Sequence, residues 1–86
     1  MRVTYTKHAL EKIVELKKEK WIVTKMKIRQ VLKNPTWRGL TREGQDTVIG
    51  LMDDRHIIRI VLGKNGGIIK IITFHIGRRG KYESTL

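Results

Sequence analysis

The residues best able to do chemistry in this chain stand at the end of its last apolar segment. Residues 71–76 read IITFHI, and residues 77–82, GRRGKY, follow at once with three cations and a phenol. A buried strand fixes its own end in space. These groups are therefore expected to be held where they can contact a negatively charged partner.

Such residue types suit cleavage of RNA without a metal. There the ribose 2′-OH attacks its neighbouring phosphate, so the protein must remove one proton, supply another and stabilise a more negative phosphorane. Tyr82 is the candidate base or base-stacking group, because surrounding cations favour an ionised phenol. His75 is a candidate acid or base, since imidazole titrates near neutral pH. A structural role stays open for each: Tyr82 as an aromatic residue that closes over the core, and His75 as a histidine at the edge of the core.

The basic residues are unevenly distributed. Up to Lys33 there are eight lysines and two arginines, whereas from Trp37 onward there are six arginines and three lysines. Arginine presents a planar fork that matches phosphate, and lysine is a hydrated point charge. We therefore expect phosphate recognition in the second half of the chain. The alternative role for these arginines is to place charge at the sheet edge, where it discourages strand pairing. The helical lysines are expected to be solvated.

The composition limits the classes of partner and of site that the protein is expected to have. With 19 Lys and Arg against 8 Asp and Glu, the formal net charge is +11 on 86 residues, which favours nucleic acid. There is no cysteine, which excludes disulfides and thiolate metal sites, and the histidines and acids are scattered. We expect no metal and no cofactor. No secretory segment or membrane-spanning apolar run is present, which predicts a cytoplasmic protein that does not enter a membrane.

Two helices are readable from their caps and apolar spacing. Thr6 is expected to cap a helix from about Lys7 to Glu19, and Thr24 a helix from about Lys25 to Lys33 that Asn34-Pro35 ends. The apolar side of the first helix is expected to contain Ala9, Leu10, Ile13, Val14 and Leu16.

A sheet is expected to follow the helices. The predicted strands are Gln45–Met52, Arg55–Leu62 and Gly67–Ile76, with turns at Asp53-Asp54 and Asn65-Gly66 and a short edge strand at Trp37–Leu40. The whole chain, residues 1–86, then forms one α+β domain in which an N-terminal helical hairpin packs on a three- to four-stranded antiparallel sheet.

The predicted Asn65-Gly66 turn sets a register in which Arg59 faces Ile72 and His75 faces His56. Side chains then sort onto two faces. The face packed on the helices is expected to contain Ile58, Ile60, Leu62, Ile69 and Ile71. The other is expected to carry Arg55, Arg59 and Lys70 among Ile57, Val61, Ile72 and Phe74.

Three short motifs resemble the RelE/ParE superfamily of small toxins, and more closely its uncharacterised toxin-like branch. They are YTKHA at 5–9, VLKNP at 31–35, and IITFH at 71–75 leading to RRGKYE at 78–83. With the order of elements, the resemblance spans nearly the whole chain. It implies a type II toxin that acts as an mRNA interferase, an endoribonuclease whose basic concave face receives free or ribosome-bound mRNA.

The resemblance also implies roles and partners. It makes Arg59 the mid-sheet arginine that steadies phosphate, His75 or Arg78 the basic group ending the last strand, and Tyr82 the C-terminal tyrosine. A cognate antitoxin protein is expected to cover this face. The expected catalytic residues are Arg59, His75, Arg78 and Tyr82, and the expected RNA-binding residues are Arg55, Lys70, Arg79 and Lys81.

Two departures from the patterns of the superfamily keep other functions open. Lys12 stands where members tend to have arginine, and the spacing from the last strand to Tyr82 is longer than in the best-studied nucleases. The alternatives are a non-catalytic nucleic-acid-binding module and a ParE-like gyrase inhibitor of the same fold.

Overall fold

The computed structural model describes residues 1–80, which form an α+β fold. Its elements are β1 (Arg2–Tyr5), α1 (Lys7–Lys18), α2 (Lys25–Lys33), β2 (Trp37–Leu40), β3 (Asp46–Leu51), β4 (His56–Asn65) and β5 (Ile68–Arg78). Both predicted helices and all four predicted strands are present, with ends shifted by at most three residues. Neither helix in residues 1–80 has the length and apolar character needed to cross a bilayer.

Each helix begins at a threonine, as predicted. Thr6 Oγ1 accepts a hydrogen bond from the Ala9 backbone N–H, and Thr24 Oγ1 accepts one from the Lys27 N–H, both at 3.0 Å. These bonds satisfy N–H groups that have no partner within the helix.

The sheet has five strands in the order β1-β5-β4-β3-β2. The pairs from β2 to β5 are antiparallel, as predicted. The prediction omitted β1, which pairs in parallel with β5 from Arg2 opposite Ile68 to Tyr5 opposite Ile71. A strand of four residues is too short for its alternation to stand out, and its partner lies at the other end of the chain. The sheet is therefore mixed.

The hairpin between β4 and β5 turns one residue later than predicted. Asn65 pairs with Ile68, so the two turn residues are Gly66 and Gly67, and Gly66 has a φ of 62°. Glycine enters this region without the penalty that a Cβ brings.

A β-bulge then shifts the register further along the same pair. Leu62 pairs with Ile71 but Val61 pairs with Thr73, which leaves Ile72 as the extra residue of β5. An inserted residue reverses the inward and outward alternation of everything that follows it in the strand.

Three predicted positions are wrong for this reason. Arg59 lies opposite His75 rather than Ile72, and His56 lies opposite Arg78 rather than His75. Phe74 pairs with Ile60 and is fully buried in the core, whereas the prediction placed it on the face that carries Arg59. The predicted register assumed a regular hairpin with no extra residue.

Both helices pack on one face of the sheet. The buried cluster between them contains Ala9, Leu16, Val23, Ile28, Val31, Leu32, Val48, Ile58, Ile60, Leu62, Ile71 and Phe74. At Gly50 on β3, an added β-carbon would lie 2.6 Å from a methyl group of Val31. The absence of a side chain at Gly50 therefore lets α2 approach the sheet this closely.

The apolar stripe of α1 is narrower than predicted. Ala9 and Leu16 are buried and Ile13 packs against the core, but Leu10 is 42% exposed and Val14 is 56% exposed. Residues 9, 13 and 16 follow the spacing of one helical face. The prediction was wrong to add Leu10 and Val14, which lie about 100° further round the helix.

Candidate functional site

Arg59 and His75 lie directly opposite each other on the neighbouring strands β4 and β5. Such partners have Cα atoms about 5 Å apart and side chains on the same face of the sheet. Ile58 and Ile60, on either side of Arg59, point into the core under the helices. Arg59 and His75 therefore project from the face without helices, which we call the basic face, and each keeps part of its surface exposed.

The bulge decides that His75 is on the basic face. If the hairpin register continued past Leu62 without the extra residue Ile72, Phe74 would lie opposite Arg59 and His75 would point towards the helices. The bulge sends the phenyl ring into the core and the imidazole to the arginine. β-Bulges are often found beside active sites, where they redirect a side chain in this way.

Thr6 holds the bulged segment in place. Its N–H donates to the Ile71 carbonyl at 3.1 Å, and its Oγ1 donates to the Ile72 carbonyl at 2.7 Å while accepting from Ala9. One side chain therefore both caps α1 and ties the start of that helix to the bulge. The position of His75 depends on this contact between two distant parts of the chain.

The surroundings of His75 lower its pKa. Burial is the largest cause, because it penalises the charged imidazolium, and the positive charges of Arg59 and Lys12 act in the same direction. The neutral form of His75 is therefore favoured. A neutral imidazole beside a guanidinium can accept a proton while the arginine stabilises negative charge that develops nearby.

Lys12 was missed as a site residue. It lies on α1, was expected to be solvated, and is partly buried in the structure. Its charge is one of the causes that lower the pKa of His75. The signal in the sequence was the resemblance itself, since members of the toxin-like branch tend to have arginine there.

The floor of the basic face around Arg59 is largely apolar, with Thr47 as a buried polar residue. Ile49 and Ile57 are fully buried and Val61 is 5% exposed, although both helices lie on the other face. Ile49 is the partner of Arg59 on β3, and Val61 lies two residues along β4. A poorly hydrated floor strengthens electrostatic interactions at the guanidinium.

Three more of the expected RNA-binding residues lie along the same sheet. Lys70 is opposite Gly63, four residues from Arg59 along β4, which places it on the basic face roughly 13 Å away. At the other end of the strands, the Arg79 N–H donates to the Arg55 carbonyl at 2.8 Å, so these two exposed arginines are adjacent.

Arg78 lies apart from Arg59 and His75. It pairs with His56 on β4. His56 lies two residues from Ile58, which points into the core, so His56 and Arg78 both lie on the helix side of the sheet. The structure therefore does not bring Arg78 onto the basic face with Arg59 and His75. Lys81 and Tyr82 lie outside the described residues, and their assignments stay predictions.

His56 belongs to the β3–β4 turn. Its Nδ1 lies 3.0 Å from Asp53 Oδ1, and its ring contacts Trp21 edge to face at 4.7 Å between centroids. The pKa of Asp53 is lowered, chiefly by the hydrogen bond from the Arg55 N–H. An aspartate that accepts bonds from backbone N–H groups two and three residues later is a turn-forming residue, as expected for this position.

Within residues 1–80, no group of three or more His, Asp or Glu side chains is placed to hold a metal ion. Comparison of the chain with protein-family models, with curated proteins and with solved structures finds no match. The interpretation of the site therefore depends on the geometry of Arg59 and His75 and on the chemistry of their surroundings.

Proposed function

We propose that this protein is the toxin of a type II toxin–antitoxin system and acts as a metal-independent endoribonuclease on mRNA. The observation that carries the proposal is the placement of Arg59 opposite a half-buried His75 whose pKa is lowered. This pairing joins a phosphate-binding cation to a neutral proton acceptor on one face. The strongly positive charge of the chain, +11, supports a polyanionic substrate.

In the proposed reaction, His75 takes the proton from the ribose 2′-OH. The 2′ oxygen forms a bond to phosphorus, Arg59 stabilises the phosphorane, and the bond from phosphorus to the 5′ oxygen breaks. The products are a 2′,3′-cyclic phosphate and a 5′-OH. Because the base is a side chain and the charge is stabilised by a guanidinium, no step requires a metal.

The leaving 5′ oxygen needs a proton from a second group. Lys12 is one candidate, because its ammonium acts on His75 from α1. The phenol of Tyr82 is the other, from the resemblance to the toxin superfamily. The variants Lys12→Gln and Tyr82→Phe distinguish the two, since the residue that supplies the proton is the one whose loss lowers the rate of the chemical step.

Incubation of the pure protein with mRNA tests the proposal, with and without ribosomes and with EDTA in parallel. We expect fragments that end in a 2′,3′-cyclic phosphate, formed equally well in EDTA. Loss of cleavage in EDTA would show that the reaction needs a metal, and intact RNA in every reaction would contradict the nuclease proposal. An antitoxin partner is proposed as well, and an acidic protein encoded beside this one is expected to bind it and stop cleavage.

A second function, a nucleic-acid-binding module without turnover, has one observation in its favour. Arg38 and Arg78 are exposed and lie on the helix side of the sheet, away from Arg59 and His75. Such a module would bind RNA with a steep dependence on salt and form no product. A gyrase inhibitor of the same fold would cause DNA damage signalling in cells while mRNA stays intact.

A further inference from the structure

The basic face has a hollow at the end nearest the β4–β5 hairpin. Its volume is about 340 Å³, and it is lined by Thr4, Gly63, Lys64, Asn65, Ile68 and Lys70. The register places it on the same face as Arg59, because Gly63 pairs with Lys70 and Lys70 pairs with Thr4.

The hollow exists partly because one of its residues has no side chain. A β-carbon added at Gly63 would meet no atom nearer than the Ile72 Cδ1 at 3.8 Å. Gly63 has no left-handed φ, so its backbone does not require glycine. Glycine here leaves open a space that most other residues would fill.

Three polar side chains around the hollow can bind an anion. Lys70 supplies an ammonium, Asn65 an amide N–H and Thr4 a hydroxyl. All three residues are exposed, and none of these side chains takes part in a hydrogen bond or ion pair within the described chain. Arg2, the partner of Ile68 on β1, adds a further positive charge beside them.

The distance to Arg59 fits a single RNA strand. Lys70 is roughly 13 Å from the Arg59 position along the strands, which corresponds to about four nucleotides of a stacked strand at about 3.4 Å each, and fewer of an extended one. Val61 and Thr73 lie between them on this face, Val61 buried and Thr73 partly exposed, and neither carries a charge that would repel RNA.

We propose that this hollow is a phosphate subsite for the same RNA strand, two to four nucleotides from the cleaved bond. The inference rests on the proposed function and deepens it, because it makes the substrate a single strand long enough to reach both positions. Lys70 pairs with the phosphate charge, and Asn65 and Thr4 donate hydrogen bonds to its oxygens.

Binding of uncleavable RNA tests the subsite separately from cleavage. The probes are 2′-O-methyl RNA strands of ten and of three nucleotides, followed by fluorescence anisotropy at several salt concentrations. The variants are Lys70→Gln, which removes the charge, and Gly63→Val, which fills the hollow without a charge change. Lys17→Gln, on an exposed position of α1, is the matched charge control.

For the ten-nucleotide strand we expect Lys70→Gln to weaken binding roughly threefold or more and to lower the log–log salt slope by about 0.7, the value for one phosphate on a single strand. Gly63→Val is expected to weaken binding with no change in net charge. The effects of both variants should be smaller on the three-nucleotide strand, which cannot reach both sites, and Lys17→Gln should bind both strands like the wild type.

The subsite is overturned if both variants bind the long strand like the wild type, or if they weaken the long and short strands equally. Failure of the proposed function gives a different pattern. In that case the wild type leaves RNA intact, yet the length-dependent loss in Lys70→Gln persists, and the hollow is a phosphate subsite of a binding module.

Discussion

Arg59 and His75 are register partners on β4 and β5, and Arg59 is one of the charges that lower the pKa of His75. The arrangement favours the neutral imidazole, because burial and the nearby positive charges both disfavour the imidazolium. A candidate base and a phosphate-binding cation are thereby placed together on one face of the sheet.

Replacement of Arg59 by glutamine is expected to raise the pKa of His75. The guanidinium disfavours the imidazolium, so its removal makes protonation easier. Lys12→Gln should act in the same direction but more weakly, because Arg59 is the larger of the two charge effects. An NMR titration of the histidine ring protons measures both, with Lys17→Gln as the control. A His75 pKa that stays constant or falls in Arg59→Gln would contradict the proximity of the two groups.

The same shift should appear in the pH dependence of cleavage. If His75 is the base, kcat/KM falls at low pH as the free enzyme's imidazole becomes protonated. Because the pKa of His75 is lowered, this fall should lie below the range of an ordinary histidine. As the pH is lowered, the residual cleavage by Arg59→Gln should begin to fall at a higher pH than cleavage by the wild type, because the pKa of His75 is higher in the variant. An acid limb at the same pH in both proteins would remove His75 from the role of base.

Removal of either member of the pair should lower cleavage while the fold is kept. We expect His75→Gln to reduce kcat/KM by about 10²- to 10⁴-fold, as for a general base, and Arg59→Ala by about 10²- to 10³-fold, as for a group that stabilises the transition state. Circular dichroism and a urea titration check the fold of each variant. Lys17→Gln should cleave like the wild type, and equal activity in all three variants would place catalysis elsewhere.

Thr6 and Thr24 are a matched pair for testing the connection to the bulge. Both cap a helix with a 3.0 Å bond, but only Thr6 also donates to a bulge carbonyl. Thr24→Ala should lower the free energy of unfolding by about 1 kcal/mol, and Thr6→Ala by about 2 kcal/mol, since one more hydrogen bond is lost. Urea denaturation measures the difference, and Thr6→Ser should restore most of it. Equal losses at the two positions would mean that the bulge contact contributes nothing.

Two glycines offer a second matched pair. Gly50→Ala should destabilise the protein by about 1 to 3 kcal/mol, because the new methyl group would overlap Val31. Gly63→Ala should change stability by no more than about 0.5 kcal/mol, since the nearest atom is 3.8 Å away. Thermal unfolding compares them. In the Gly50→Ala background, Val31→Ala should cost less than it does alone, and additive costs would argue against a direct clash.

Part of the site could be read from the sequence. Arg59 and His75 were each recognised from their residue types and from the resemblance, but the predicted register separated them and placed Phe74 beside the arginine. Lys12 was assigned to a solvated helix face. These errors concern the contacts between side chains. A residue's type and its position along the chain do not determine those contacts.

The sequence by itself determined the features that depend on neighbouring residues. These are the threonine caps, the helical spacing, the proline that ends α2 and the glycines of the last hairpin, each of which acts over a few positions. The excess of basic residues also follows from the sequence alone. The tertiary structure alone decided that β1 joins β5 and that Ile72 bulges. The hydrogen bond from Thr6 to Ile72 joins residues 66 positions apart. Contacts of that range depend on how the whole chain packs, and they are what set His75 opposite Arg59.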